Sequence, residues 1–399
     1  MPDVGADDVV ILAAVRTPIG RFQGSLSATP APELGACVIR EAVHRAGVDP
    51  GEVTEVLMGN VVQAGIGQAP ARQAALGAGL PDKVGATTIN KVCGSGLKAV
   101  MLAAAGIRAG DGNIYVAGGM ESMNQAPFLL SRARFGYRLG NAELVDAVVH
   151  DGLWCAFEHQ HMGLAAEWVA GEYGVTRRDQ DEYALESHRR AIDALDAKLF
   201  ADEETPAPIH VRDARPPYLE EDETPRRETS LEALARLKPA FRPDGTVTAG
   251  NAPGITDGAA ALIVSRRSEA DAAGIRPMAR VLGYSQASLP PLELFLAPIL
   301  AMRKLADQLQ VAPRDFDLVE VNEAFAAQAV VNIRELHLDP ERVNVNGGSI
   351  ALGHPIGASG ARVLTTLLYA LRHRGKERGA AVLCLGGGEA VALAVEMES

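Results

Sequence analysis

Apolar residues fall along this chain in two alternating patterns, short continuous runs and stretches where they recur every three or four positions. Residues 9–14 (VVILAA) form a run of strand length. Residues 33–46 place Leu34, Val38, Ile39 and Val43 on one helical face. Residues 55–60 (EVLMGN) read as a strand ending in a polar loop, and residues 69–78 as a helix of small residues. Thr87, Thr88 and Ile89 are β-prone and lead into Val92-Cys93-Gly94-Ser95-Gly96. Leu97, Val100, Met101, Ala104 and Ile107 then return by threes and fours, which predicts a helix beginning just after Cys93. Residues 113–117 are the next strand and close on Gly118-Gly119-Met120-Glu121-Ser122-Met123.

The second half repeats this order. A helix at 302–309 and a strand at 317–321 lead to Asn322-Glu323. A Gly/Pro loop then leads to Ala358-Ser359-Gly360 and a helix to about Arg374, and a strand at 380–385 closes on Gly386-Gly387-Gly388. Val48 matches Val311, Pro50 matches Pro313 and Ser95-Gly96 matches Ser359-Gly360, an offset of about 264 residues that suits a duplicated domain rather than a solenoid. Each copy is expected to be an α/β layer on a mixed, largely parallel sheet. Residues 123–250 are more charged and read as an inserted lobe of helices and long polar loops, and 259–264 as the last strand of the first copy. The expected units are 1–122 with 251–274, the lobe 123–250, and 275–399. Loops after equivalent strands should converge on one crevice.

With 399 residues, 47% of them hydrophobic and 22% charged, the chain can bury large cores and is not globally disordered. A net charge of −12 argues against nucleic acid or an anionic membrane as partner, while a small anionic ligand would need a local basic patch. Four cysteines (Cys37, Cys93, Cys155, Cys384) make no disulfide framework, and without a CxxC pair a zinc site is not expected. The start, MPDVGADDVV, is acidic and unlike a signal peptide, and no apolar run reads as reaching the ~18 residues of a membrane span. The expectation is a soluble, cytoplasmic protein.

A lone cysteine in an apolar segment usually reads as a buried structural thiol. Cys93 sits instead where a helix N-terminus would favour a thiolate, and Gly94 and Gly96 would admit backbone or substrate to the sulfur. His354, in Gly353-His354-Pro355-Ile356-Gly357, suits it as a base that lowers its pKa. Cys384 could act as a second thiol base toward a carbon acid. Asn322 and the N–H groups of the Gly386 turn are suited to hold an oxyanion.

In combination, Asn90-Lys91-Val92-Cys93-Gly94-Ser95-Gly96, Gly118 to Met123, Asn322-Glu323-Ala324-Phe325-Ala326, Gly353 to Gly360 and the Cys384 run resemble the thiolases, in particular their short-chain acetyl-CoA acetyltransferases. The likeness covers essentially the whole chain, from VRTPIGRF to CLGGGEA. It implies a five-layered αβαβα duplicated α/β fold with an inserted loop lobe that binds CoA. It also implies a ping-pong Claisen condensation of acetyl-CoA, without a cofactor, in which CoA thioesters are the substrates. Cys93 would carry the acyl group and Cys384 would remove the α-proton. His354 with a water held by Asn322 would form one oxyanion hole, and the N–H groups of Cys93 and Gly386 the other. The resemblance places Arg226 near the adenine nucleotide end of CoA. Leu153, His161, Met162, Ala252, Pro253, Gly254 and Phe325 would line the pantetheine arm and acyl pocket. His161 reads equally as a helix cap. A homotetramer, a dimer of dimers, is implied as well.

Three positions depart from the family pattern. Pro253 replaces a serine whose hydroxyl could bond the pantetheine arm. LELFLAP at 292–298 replaces a Met-Gly-x-Gly-Pro pattern, with Phe295 in place of a glycine at the wall of the acyl pocket. Trp154-Cys155 stands where smaller or polar residues are common, and Cys155 reads as structural. The nearest competing reading is a degradative 3-ketoacyl-CoA thiolase of broader chain length. A decarboxylating ketoacyl synthase is disfavoured by Cys384, a non-catalytic acyl-CoA-binding protein by the presence of all three reactive residues, and a metal site by the ligand spacing.

Overall fold

The computed structural model describes residues 5–211 and 216–398. Residues 1–4 of the acidic start, residues 212–215 of the expected lobe and residue 399 lie outside them. The first half runs β1 (Val9–Arg16), α1 (Ala31–Ala46), β2 (Glu55–Gly59), α2 (Pro70–Gly77), β3 (Gly85–Ile89), α3 (Ser95–Ala109) and β4 (Ile114–Ser122). Residues 123–250 contribute α4 (Met162–Glu172) and α5 (Arg177–Asp196), and β5 (Thr256–Arg266) returns to the first sheet. The second half runs β6 (Ala279–Ser288), α6 (Ala297–Leu309), β7 (Leu318–Val321), α7 (Ala326–Glu335), α8 (Ser359–Arg374), β8 (Arg378–Leu385) and β9 (Glu389–Met397).

The repeat predicted from spacing is present as repeated topology. In the first half the strands lie in the order β3-β2-β4-β5-β1, and in the second β7-β8-β9-β6. A parallel bridge from Val343 to Val319 stands beside β7 where β3 stands beside β2. A short antiparallel contact, Val10 with Arg280 and Ile11 with Ala279, joins the halves. The expectation of largely parallel sheets needs correction. β3-β2, β2-β4 and β7-β8 are parallel, but β4-β5, β5-β1, β8-β9 and β9-β6 are antiparallel. The turn at Gly386 to Gly388 is too short for a crossover, so β9 must fold back as a hairpin on β8. Strands β6 and β9 have no counterpart among the elements expected from the sequence.

Side-chain alternation divides the interior into layers. Val9 and Ile11 of β1 face a central core shared with α3 and α8, while Val10, Leu12 and Val15 face α1 and α2. On β8, Leu383 and Leu385 face the central core, and Val382 and Cys384 face the opposite layer with α6 and α7. The order is helices, sheet, helices, sheet, helices, the five layers expected. Residues 92–109 are, over 18 residues, apolar enough to match a membrane span by length and composition, contrary to the expectation from sequence. Here they carry the central helix, which is apolar because sheets cover it on both sides.

α3 and α8 meet at their starts. A Cβ on Gly96 would lie 2.6 Å from the Ala361 amide nitrogen, and one on Gly360 would strike the Leu97 backbone. The Ser-Gly pairs matched across the repeat are therefore the contact between its copies. Gly360→Ala is expected to destabilise the fold by about 1–3 kcal/mol through overpacking, measured as a lower urea midpoint with unchanged slope.

Candidate active site

Cys93 sits between the end of β3 and the start of α3. Val92 is held at φ 47° there, a strained conformation for a β-branched residue. The side chains around it hold it so: Asn90 Oδ1 accepts from the Val92 N–H at 3.1 Å, and Ser95 Oγ accepts from the Lys91 N–H at 2.8 Å and donates to the Val92 carbonyl at 2.7 Å. A Cβ at Gly94 would run into Leu385 and Val391. That glycine therefore admits the β8–β9 hairpin rather than a substrate, and Gly96 admits α8.

His354 lies in the loop before α8. Its N–H donates to Thr256 Oγ1 at 2.9 Å, and its Nδ1 lies 2.5 Å from Ser359 Oγ. Ser359 donates its only hydroxyl proton to the Pro355 carbonyl at 2.8 Å, so Oγ must accept from Nδ1–H. Nε2 is left unprotonated and is the basic nitrogen. The same loop is fastened by Glu121, which accepts from the N–H groups of Gly357 at 2.8 Å and Val61 at 3.0 Å and from Asn60 Nδ2 at 2.8 Å.

These loops form an open, largely apolar cleft on which Cys93, His354, Cys384 and Gly386 come together. Leu153, His161, Met162, Ala252, Pro253, Gly254 and Phe325 also line it, as does Phe295. His161 both lines the cleft and caps α4, its Nδ1 accepting from the Gly163 N–H at 3.0 Å. Its ring stacks on Phe241 at 4.7 Å, and the edges of Phe241 and Phe295 meet Phe325 at 6.1 and 5.5 Å. Two expected residues lie outside the lining. Asn322 is fully buried, its Oδ1 accepting from Ser349 Oγ at 2.7 Å, and Nδ2 has no hydrogen-bond partner among the described residues. Arg226 is exposed, and its backbone N–H donates to His188 Nδ1 at 3.2 Å. Cys155 is buried away from the cleft and accepts from the Glu158 N–H at 3.4 Å.

The electrostatics differ from the sequence expectation of a Cys93 thiolate. Burial pushes Cys93 up to about 12, partly offset by the backbone N–H groups of Cys93 and Gly386 and reinforced by the charge of the Glu121 carboxylate. Burial, with the cation of Arg362, holds His354 down at about 3. Burial and then the charge of Cys93 raise Cys384 well above the usual thiol range. The resting site is thiol, thiol and neutral imidazole.

Sequence reasoning did not find Ser359, Glu121 or Phe241 as site residues. Ser359 carried a repeat match and a place in the Gly353 to Gly360 motif, Glu121 a place in another motif, and Phe241 no local signal. Because His354 is protonated more readily unfolded (near 6.5) than folded (about 3), its contribution to stability is complete above 6.5 and is lost as pH falls. Wild type is therefore expected to lose about 3 kcal/mol relative to His354→Asn between pH 7 and pH 4, read from urea denaturation at both values.

Comparison with known proteins agrees with this geometry. The family model "Thiolase, N-terminal domain" matches residues 9–268 and "Thiolase, C-terminal domain" matches residues 275–397. An acetyl-CoA acetyltransferase of Pseudomonas aeruginosa is 52% identical over 386 residues, covering 97% of this chain and 98% of that one. One of Cupriavidus necator is 51% identical over 389 residues, covering 98% and 99%. The crystal structure of the Bacillus anthracis acetyl-CoA acetyltransferase superposes with a TM-score of 0.96 at 44% identity, covering 98% of this chain and 99% of that one. With the two halves, the shared cleft and these matches in agreement, the chain belongs to the thiolase family.

Proposed function

We propose that this protein is an acetyl-CoA C-acetyltransferase, which condenses two acetyl-CoA molecules reversibly to acetoacetyl-CoA and CoA. The observation that carries the proposal is one apolar cleft holding two cysteines and a histidine, with Cys93 close enough to influence the charge of Cys384. The names of the relatives support the same reaction. In the first half-reaction the Cys93 sulfur attacks the thioester carbonyl of acetyl-CoA while its proton passes to Nε2 of His354. The intermediate collapses to a Cys93 thioester, and the departing CoA sulfur takes the Cys384 proton. The Cys384 thiolate then removes an α-proton from the second acetyl-CoA, and the carbanion attacks the Cys93 thioester. Collapse releases acetoacetyl-CoA, and the Cys93 sulfur recovers its proton from His354. Each proton is returned within the cycle.

The raised Cys384 suits this role, because a weakly acidic thiol has a strongly basic conjugate. The N–H groups of Cys93 and Gly386, both lining the cleft, are suited to hold one oxyanion. His354, with a water bonded to Asn322 Nδ2, is suited to hold the other. Asn322 lies behind the cleft wall, which favours action through such a water. Arg226, exposed beyond the lining, is proposed to meet the phosphates of the CoA nucleotide from solvent. Phe295, edge-on to Phe325 in the cleft lining, supports acetyl over longer groups.

A homotetramer, a dimer of dimers in the cytoplasm, is proposed with it. Phe128, Phe135, Leu139 and Leu144 project from the arm at 128–144, with Leu139 100% exposed, an apolar surface that suits cover by further subunits. Thiolysis across a series of 3-ketoacyl-CoA lengths tests the function. Activity is expected to be highest on acetoacetyl-CoA, to fall steeply with length, and to drop at least about 10³-fold in Cys93→Ala or Cys384→Ala. A preference for long chains would assign the broader degradative class instead, and no thiolysis at all would reject the enzyme.

A further inference from the structure

Behind the cleft, three buried side chains form a directional hydrogen-bond chain. Arg362, 2% exposed on α8, donates from Nη2 to Ser349 Oγ at 2.8 Å. The Ser349 hydroxyl donates in turn to Asn322 Oδ1 at 2.7 Å, and Asn322 Nδ2 is left without a partner among the described residues. The direction is set at the cationic end. A guanidinium only donates, so Ser349 Oγ must accept from it, and the single hydroxyl proton goes to Asn322. The acceptor on a carboxamide is its oxygen. The amide is therefore held with Oδ1 toward Ser349 and both N–H bonds turned elsewhere. With an apolar side chain at position 362, Ser349 could accept from Nδ2 as readily as donate to Oδ1, and the amide could turn over. A turned amide offers an acceptor where developing negative charge needs a donor.

Stability alone does not account for Arg362. Its Nε and Nη1 have no hydrogen-bond partner among the described residues, and burial opposes its charge. Of the carboxylates that favour its charge, Glu320 is itself pushed up to about 8 by burial and Glu203 is raised by burial as well, which weakens both as counter-ions near neutrality, and Glu323 adds a smaller contribution. An incompletely paired buried cation is costly, and an apolar side chain of similar volume would often be tolerated better.

We propose that Arg362 is a positioning residue which, through Ser349, locks the Asn322 carboxamide with its N–H groups available to the reaction. This rests on the assignment of Asn322 as an oxyanion donor. The test is steady-state thiolysis of acetoacetyl-CoA by the full chain and its variants Asn322→Ala, Ser349→Ala, Arg362→Met, Arg362→Lys and the Arg362→Met/Asn322→Ala double. Asn322→Ala is expected to lower kcat on the order of 10²-fold. Arg362→Met and Ser349→Ala should each lower it at least about tenfold with KM little changed. Arg362→Lys, which keeps a cationic donor, should recover most of the rate, and the double variant should be no slower than Asn322→Ala alone. The acid limb of kcat/KM should move to higher pH in Arg362→Met, because loss of the cation lets His354 take a proton more easily.

Losses that multiply in the double variant, or a Ser349→Ala enzyme at the wild-type rate, would overturn the relay while leaving Asn322 in place. A wild-type rate in Asn322→Ala would instead overturn the role of Asn322 and the relay with it. If Arg362→Met does not fold, Ser349→Ala paired with Asn322→Ala makes the same comparison.

Discussion

The backbone contact between the starts of α3 and α8 holds this molecule's chemistry in place. Both helices are sheathed by sheets, and both begin at the same end of the central layer. The turn leading into α3 carries Cys93, and the loop leading into α8 carries His354. With glycine at 96 and 360, the two backbones touch without intervening side chains, so the separation of Cys93 and His354 follows from main-chain packing. The β8–β9 hairpin then lies against Gly94 and brings Cys384 and Gly386 to the same cleft.

Burial dominates the electrostatics of that cleft. A helix N-terminus favours an anion by about 0.3–1 kcal/mol at an exposed site. The rise of Cys93 from 9.0 to about 12 corresponds to about 4 kcal/mol in the other direction. The two thiols and the imidazole consequently rest neutral, and charge arises only as protons pass between them. Under the proposed mechanism, the N–H groups of Cys93 and Gly386 would stabilise that charge. The same dry surroundings explain why polar support lies behind the site: Ser359 selects the His354 tautomer, Glu121 fastens its loop, and Arg362 reaches Asn322 through Ser349.

The segment at 123–250 completes the site from outside the duplicated halves. α5 packs on α7 and on the turn at Ser349–Leu352, while α4 and its cap place His161 and Met162 on the cleft wall. Phe241 from a later loop stacks on His161, and that aromatic row continues through Phe325 to Phe295. That wall of the cleft is therefore built by residues drawn from the lobe and the second half together.

Local pattern was enough for the features with a strong period or a fixed spacing. The apolar face of α3, the run of β1, the Ser-Gly match between copies and the motifs at Cys93, Asn322, His354 and Cys384 all lie within short windows, and the chain alone determined them. Strands β6 and β9, the antiparallel pairings, the protonation of Cys93 and the exposed position of Arg226 were decided only by the tertiary structure. So were the hydrogen bonds of Ser359 to His354, of Glu121 to the Gly357 N–H and of Arg362 to Ser349. The physical reason is common to them: strand direction, burial and hydrogen-bond partners arise between residues far apart in the chain, and a polar side chain's effect depends on what its fold removes from water.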